Sequence, residues 1–174
     1  MTRSGNKIGG VEFRSVSRRY GKVTAVDRIS FEVEPGTLVT LLGPSGCGKT
    51  TTLRMIAGLE APSDGTILIG GRDVTLLPAT DRDVTMVFQS YALFPHMNVL
   101  DNVAFGLEVS GVSKAQREAQ AMDGLAMVGL AGFESRLPSE LSGGQQQPLA
   151  VARAQVLEPE VQLFDEPLSN HDAK

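Results

Sequence analysis

Apolar and polar residues alternate along the first part of the chain in the pattern of β-strands. Residues 11–16 and 29–33 carry an apolar side chain at about every second position, which predicts two strands with one face in water. The run TLVTLL at 37–42 is almost continuously apolar and rich in β-branched residues, and it predicts a buried parallel strand. Shorter runs at 66–69 and 84–88 predict two further strands.

Helical spacing begins after the apolar run and dominates the second half of the chain. Four segments have apolar residues at the spacing of one helix face: 49–59, 99–107, about 113–128, and the residues that follow Ser142. Asn98 is placed to cap the second of these helices, and Ser113 with Gln116 forms a capping box for the third. VQLF at 161–164 predicts the last strand. This order predicts an α/β core with a helical insertion at about 90–140.

The composition limits the class of protein. The 174 residues suffice for one compact domain, and 41% of them are hydrophobic, as in globular proteins. A formal net charge of -4 offers no broad positive field, so we expect no nucleic acid partner. Cys47 is the single cysteine, which suits a reducing compartment. The first residues do not resemble a signal peptide, and no apolar run reaches the ~20 residues that span a bilayer, so we expect a cytoplasmic protein.

The segment GPSGCGKT fits the phosphate-binding pattern G-x-x-x-x-G-K-[ST] and lies between a predicted buried strand and a predicted helix. In this pattern the glycines let backbone N–H groups turn towards the β- and γ-phosphates, and the helix N-terminus adds its dipole. Lys49 supplies a positive charge, and the Thr50 hydroxyl is placed to ligate Mg²⁺. The predicted nucleotide-binding residues are Gly43, Pro44, Ser45, Gly46, Cys47 (a small filler), Gly48, Lys49, Thr50 and Thr51.

Carboxylates at the end of a second buried strand are the other requirement of such an enzyme. VQLF is followed by Asp165 and Glu166, and Pro167 ends the strand. We expect Asp165 to hold Mg²⁺ through water and Glu166 to polarise the attacking water. Gln89 directly follows the strand at 84–88, where an amide can bridge a metal ion, a water and a mobile segment. Without the phosphate loop, Asp165 and Glu166 would fit an ordinary surface turn equally well, and Gln89 would usually be a solvated glutamine.

LSGGQ at 141–145 predicts a second anion site. Its serine caps the start of a helix, and its two glycines leave backbone N–H groups exposed there. The residues concerned are Ser142, Gly143, Gly144 and Gln145. Two phosphate sites for one nucleotide indicate two subunits that face each other.

Together these motifs resemble the nucleotide-binding subunit of an ATP-binding-cassette (ABC) transporter. The resemblance implies a P-loop NTPase with a RecA-like core, an antiparallel β subdomain and a helical insertion. DRDVTMVFQSYALFPHMNVLDNVAFGL is similar to importer ATPases for polyamines, ferric iron, phosphonates, sulfate or sugars. A single nucleotide-binding domain at 1–174 is implied, with the β subdomain and P-loop core at about 11–80, the helical subdomain at about 90–140, and the signature helix, Walker B strand and D-loop at 141–174.

Further roles follow from the resemblance alone. Tyr20 would stack on adenine, the alternative being a tyrosine on the rim of the sheet. Residues 142–144 would reach the γ-phosphate held by the opposite subunit, so that a homodimer or a paired ATPase subunit would sandwich two ATP molecules. Asp172 would belong to the loop that links the two sites. Tyr91–Val99 would lie beside the surface that docks a helix of the transmembrane permease, the alternative being core packing.

Four features depart from the family pattern. Pro148 stands in the position of an arginine within the signature helix, where losing the bond to the Gly144 carbonyl costs ~3 kcal/mol or more. We therefore expect a kinked or shortened helix and a displaced signature. Gln162 and His171 are polar where the family is apolar, at ~1–3 kcal/mol each if unpaired. The family also has a buried strand and a histidine beyond the position of Lys174, so the resemblance implies an incomplete, marginally stable sheet.

These observations predict a peripheral ATPase subunit on the inner face of the cell membrane that energises solute import. A permease and a solute-binding protein would choose the solute. The predicted catalytic residues are Glu166, Gln89 and Lys49, and the predicted Mg²⁺ ligands are Thr50, Gln89 and Asp165. Two alternatives stay open: a non-catalytic remnant that binds nucleotide weakly, and a soluble ABC-type ATPase of DNA repair or translation. The acidic charge and the importer-like segment disfavour the latter.

Overall fold

A long antiparallel hairpin begins the fold. In the computed structural model, which describes residues 9–165, it consists of β1 (Val11–Tyr20) and β2 (Val23–Val33). β3 (Asp64–Ile69) adds to the other edge of β1, and β4 (Arg72–Asp73) adds to β3, which gives the sheet order β2-β1-β3-β4. The strands expected at 11–16, 29–33 and 66–69 are confirmed, and the first two are longer than the alternation indicated.

One helix packs with this sheet. α1 (Lys49–Ala57) lies against β2 and buries Met55, Ile56 and Ala57. It ends at Gly58, which adopts the left-handed conformation at φ 76° that glycine tolerates. The helix expected at 49–59 is therefore confirmed. The apolar core of the sheet side contains Val11, Phe13, Val16, Ile67 and Ile69.

Residues 37–42 do not form a strand, so the expectation of a buried parallel strand there is wrong. Leu38 and Leu42 are 91% and 88% exposed. In the part of the chain that the structure describes, neither sheet includes this segment. A parallel strand needs partners on its edges to pair its N–H and C=O groups. An apolar run supplies the side chains for such a strand but not its partners.

The described residues from Thr85 to Asp165 form a second compact unit. Three helices, α2 (Val99–Val109), α3 (Lys114–Met127) and α4 (Gly143–Gln155), pack on one another. β5 (Val84–Val87) and β6 (Val161–Phe164) form a two-stranded sheet. These elements confirm the helices and strands expected in this half to within about two residues. The helices share the buried side chains of Val99, Val103, Ala121, Leu125, Leu130, Leu141 and Leu149.

The two expected caps have different outcomes. Asn98 caps α2 as expected, because its side chain accepts a hydrogen bond from the Asp101 N–H at 2.7 Å. Ser113 precedes α3, but its side chain makes no capping bond to the backbone. Its hydroxyl instead donates to the Gln116 side-chain oxygen at 2.8 Å. The two residues of the expected capping box therefore bind each other rather than the helix end.

The proline in α4 does not shorten that helix, which runs unbroken from residue 143 to 155 with Pro148 inside it. Of the expected outcomes, the shortened helix is wrong, whereas the kink and the displaced signature stay predictions. Tertiary contacts outweigh the local penalty, as they often do for helices in proteins. Leu149 and Ala150 are buried directly after the proline, and the Gln146 side chain donates to the Pro138 carbonyl at 3.1 Å.

Candidate functional site

The phosphate-binding pattern forms a tight exposed loop before α1. Gly46 and Gly48 have φ angles of 80° and 94°, in the left-handed region that favours glycine. A Cβ at Gly48 would lie 2.6 Å from the carbonyl oxygen of Ala25 in β2, so no side chain fits there. The Cys47 N–H donates to the Pro44 carbonyl at 3.3 Å and closes a turn within the loop. The path of this loop therefore depends on its glycines.

Lys49 is the first residue of α1 and folds back over the loop that precedes it. Its Nζ donates to the carbonyl oxygens of Gly43 at 2.7 Å and of Pro44 at 2.9 Å. The first turn of α1 has no acidic residue, and the residue before it, Gly48, has no side chain with which to cap the helix. The helix therefore supplies no negative charge of its own at the positive end of its dipole, which suits a bound anion.

The groups of this loop fit a polyphosphate ligand. They comprise the backbone at a helix start, an ammonium group, and the hydroxyls of Thr50 and Thr51, with no carboxylate between residues 43 and 51. Thr52 takes a different role, because its hydroxyl donates to the Gly48 carbonyl at 2.9 Å inside the helix. A loop of this composition can bind phosphate oxygens and offer a hydroxyl to a metal ion.

Tyr20 is the last residue of β1 and is 44% exposed. The guanidinium of Arg18 lies over its ring at 4.6 Å from the ring centroid and also pairs with Glu60. A cation on an aromatic face is attracted to the ring by its quadrupole. Tyr20 therefore stands at the rim of the sheet with a partly exposed ring that one cation covers, and its role towards adenine stays a prediction.

Asp165 and Gln89 follow two neighbouring strands at the same edge. The N–H of Asp165, directly after β6, donates to the carbonyl of Val87, the last residue of β5, at 3.0 Å. The carboxyl ends of the two strands therefore meet, and the strands run parallel. Asp165 is buried and Gln89 is exposed. The metal-binding residues expected after these strands are thus brought to one edge, while Glu166, His171 and Asp172 lie outside the described residues.

The LSGGQ segment forms the start of α4. Ser142, Gly143 and Gly144 are exposed, and a Cβ at Gly143 would meet no atom within 4 Å. The Gln145 side chain accepts a hydrogen bond from the Ser142 N–H at 3.0 Å, which holds the first turn. No acidic residue lies in that turn. The segment therefore presents bare backbone at a helix N-terminus, as an anion site requires.

Sequence analysis did not identify Arg82, which holds the other end of α1. Its side chain is buried and donates to the carbonyls of Met55 at 2.6 Å, Ile56 at 2.8 Å and Leu77 at 2.9 Å. Burial lowers the pKa of the Arg82 guanidinium below its usual value. Because the last carbonyls of a helix have no partner within it, this cation caps α1. No periodic pattern in the sequence marks this role.

Asn102 is a second residue that sequence analysis did not identify. It is fully buried, and its amide donates to the carbonyls of Phe94 at 3.1 Å, Met97 at 2.9 Å and Asn98 at 3.0 Å. Its side-chain oxygen accepts from the Phe94 N–H at 2.9 Å. A signal was present, because Asn102 is a polar residue directly before Val103 on the buried face of α2.

Comparison with known proteins gives a consistent result. The family profile described as ABC transporter matches residues 26–169. The chain is 67% identical over 166 residues to the Fe(3+) ions import ATP-binding protein FbpC 1 of Rhizobium meliloti (strain 1021), covering 95% of this chain and 47% of that protein. The similar protein FbpC of Agrobacterium fabrum is 67% identical over 168 residues, covering 97% and 48%. For FbpC of Escherichia coli (strain K12) the identity is 56% over 163 residues, covering 94% and 47%.

The chain spans about half the length of the curated relatives it matches. Among residues 9–165, no helix has both the length and the apolar character that crossing a membrane requires.

Proposed function

We propose that this chain, which belongs to the ABC transporter family, binds and hydrolyses Mg-ATP to drive import of ferric iron through a membrane permease. The observation that carries this proposal is the loop before α1. Its glycine backbone approaches β2 too closely for a side chain, and the Lys49 ammonium bonds to the Gly43 and Pro44 carbonyls at a helix start whose first turn has no acidic residue. The relatives are named as Fe(3+) ions import ATP-binding proteins, which supports ferric iron as the solute.

Each site residue has a proposed role. The backbone N–H groups of the loop and Lys49 bind the β- and γ-phosphates. The Thr50 hydroxyl, Asp165 through water, and Gln89 hold Mg²⁺, which when bound offsets the negative charge on the transferring phosphoryl group. Glu166 polarises the water that attacks the γ-phosphate, and ADP and phosphate are the products.

The proposed assembly is a pair of such chains on the inner face of the membrane, with a permease and a solute-binding protein. The exposed backbone of Ser142, Gly143 and Gly144 supports binding to a phosphate held by the other chain. The exposed ring of Tyr20 supports stacking on adenine. Residues 91–99 are proposed to lie beside the surface that docks the permease.

Equilibrium binding of a fluorescent ATP analogue with Mg²⁺ tests the nucleotide site. Lys49→Ala should weaken binding by about tenfold or more, because it removes a charge-assisted contact to phosphate. Lys114→Ala is the matched control, since Lys114 is likewise the first residue of a helix. Equal affinities for the two variants, or no binding by the unmodified chain at millimolar Mg-ATP, would refute the proposal.

A phosphate-release assay separates an active subunit from a remnant that only binds nucleotide. The exposure of Leu38 and Leu42 beside the phosphate loop favours the remnant as the second candidate. Turnover that Glu166→Gln abolishes, with binding intact, supports hydrolysis and excludes the remnant. Binding without turnover identifies the remnant. Co-purification with ribosomes or DNA instead of a permease would contradict the import role.

A further inference from the structure

Two successive residues after Gln89 have an unusual backbone. Tyr91 and Ala92 have φ angles of 60° and 46°, in the left-handed region. Residues other than glycine adopt this region rarely, and they stay there only where their surroundings fix them. The chain just beyond Gln89 therefore needs a partner that holds this conformation.

Arg153 of α4 is that partner. Its Nη1 donates to the Ala92 carbonyl at 2.7 Å and its Nη2 donates to the Tyr91 carbonyl at 2.8 Å. Its guanidinium carbon also lies 5.3 Å from the centre of the Phe94 ring, which contacts the Phe105 ring at 4.7 Å. A planar guanidinium can hold two adjacent oxygens at once, which the single nitrogen of a lysine does less well.

The environment of Arg153 makes these bonds hard to replace. Burial lowers the pKa of its guanidinium below the usual value. In residues 9–165, no carboxylate forms a salt bridge with it. The Tyr91 and Ala92 carbonyls and the Phe94 ring therefore compensate its charge, because a half-buried cation needs local partners.

The same segment is held at its far end by Asn102, which bonds to Phe94, Met97 and Asn98. Phe94 is common to both contacts, since Asn102 binds its backbone and Arg153 lies over its ring. Residues 91–98 are therefore fixed between α2 and α4. Without the guanidinium, the end nearest Gln89 would lose its hydrogen bonds from α4.

We propose that Arg153 is a positioning residue that fixes the path of the chain after Gln89 to the helix that begins with the LSGGQ segment. This inference rests on the proposed function for the roles of Gln89 and LSGGQ. It adds that the two segments are mechanically joined through one side chain. A displacement of α4 would then displace residues 91–98 with it.

Amide hydrogen exchange of the full chain without nucleotide tests the inference. Arg153→Met should speed exchange in residues 90–98 by about tenfold or more, while exchange in α3 stays within about twofold. Arg153→Lys should give an intermediate increase, because it keeps the charge and loses the fork. Arg136→Met is the matched control, since Arg136 also lies over an aromatic ring, that of Phe133, at 4.3 Å; it should leave residues 90–98 unchanged.

Unchanged exchange in residues 90–98, or an equal increase throughout the second unit, would overturn the inference. If Arg153→Met unfolds the chain, the local pattern of Arg153→Lys decides in the same way. With nucleotide, Arg153→Met should reduce the gain in ATP affinity that Mg²⁺ gives, as Gln89→Ala should. Failure of the unmodified chain to bind Mg-ATP would refute the proposed function alone, since the exchange experiment needs no nucleotide.

Discussion

Replacing Gln162 with leucine would remove a polar group that the fold buries without pairing. Its Nε2 is buried with no hydrogen-bond partner among the described residues, and the same holds for Thr85 Oγ1. The bond from Asp165 to Val87 sets the register of the parallel pair, so residue 162 lies beside residue 85 with its side chain on the same face. Two unpaired polar groups are therefore neighbours in the sheet that leads to Asp165.

The expected gain in the free energy of unfolding follows from the missing hydrogen bond of the Gln162 amide. A buried donor without a partner costs about 1–3 kcal/mol, and leucine fills a similar volume with apolar atoms. Because Gln162 is only half-buried, we expect Gln162→Leu to raise the free energy of unfolding by about 1–2 kcal/mol. Thr85→Val should add about 1 kcal/mol, since it removes the second unpaired group.

Urea unfolding followed by circular dichroism measures this gain. Gln155→Leu is the matched control, because Gln155 is exposed at the end of α4 and its change should stay within about 0.5 kcal/mol. If the free energy of unfolding falls with urea concentration at the same slope in both proteins, the shift of the unfolding midpoint reflects a change in stability. A loss of stability in Gln162→Leu, or a change equal to that of Gln155→Leu, would refute the reasoning.

Two further comparisons use the same measurement. Gly124→Ala should stabilise the chain by about 1 kcal/mol, because the new Cβ meets its neighbours at 3.8 Å or more. Gly106→Ala should stabilise it less, since its Cβ would lie 2.9 Å from a Leu157 methyl. Equal increases in stability for the two variants would contradict the expected difference in the space around Gly124 and Gly106. Arg82→Met should destabilise by about 3 kcal/mol or more because it removes the hydrogen bonds to the Met55, Ile56 and Leu77 carbonyls, whereas replacing the exposed Arg54 with methionine should change little. A small effect at Arg82 would show that α1 does not need this cap.

The accuracy of sequence prediction depended on how local each interaction is. The phosphate loop, α1 and the Asn98 cap follow from residues within a few positions of one another, and the structure has them where the sequence predicts them. The prediction of a strand at 37–42 was wrong because a strand needs partners that are distant in the sequence. The prediction of a shortened helix at Pro148 was wrong for a similar reason. Burial of the residues after the proline, which is also a tertiary effect, outweighed the cost of the lost helical hydrogen bond.

One physical cause explains why sequence analysis missed Arg82, Asn102 and Arg153. Carbonyls in irregular loops and at helix ends lack a ladder or helix partner, so side chains or water pair them where they are buried. Arg153 bonds to carbonyls 61 and 62 residues away, and the Arg82 bonds to the end of α1 span 26 and 27 residues. Such a residue lacks a motif of its own, because only the fold determines which carbonyls it meets. A motif therefore identifies the groups proposed to touch the nucleotide, whereas the path of the chain around them depends on buried or half-buried polar side chains such as Asn102 and Arg153.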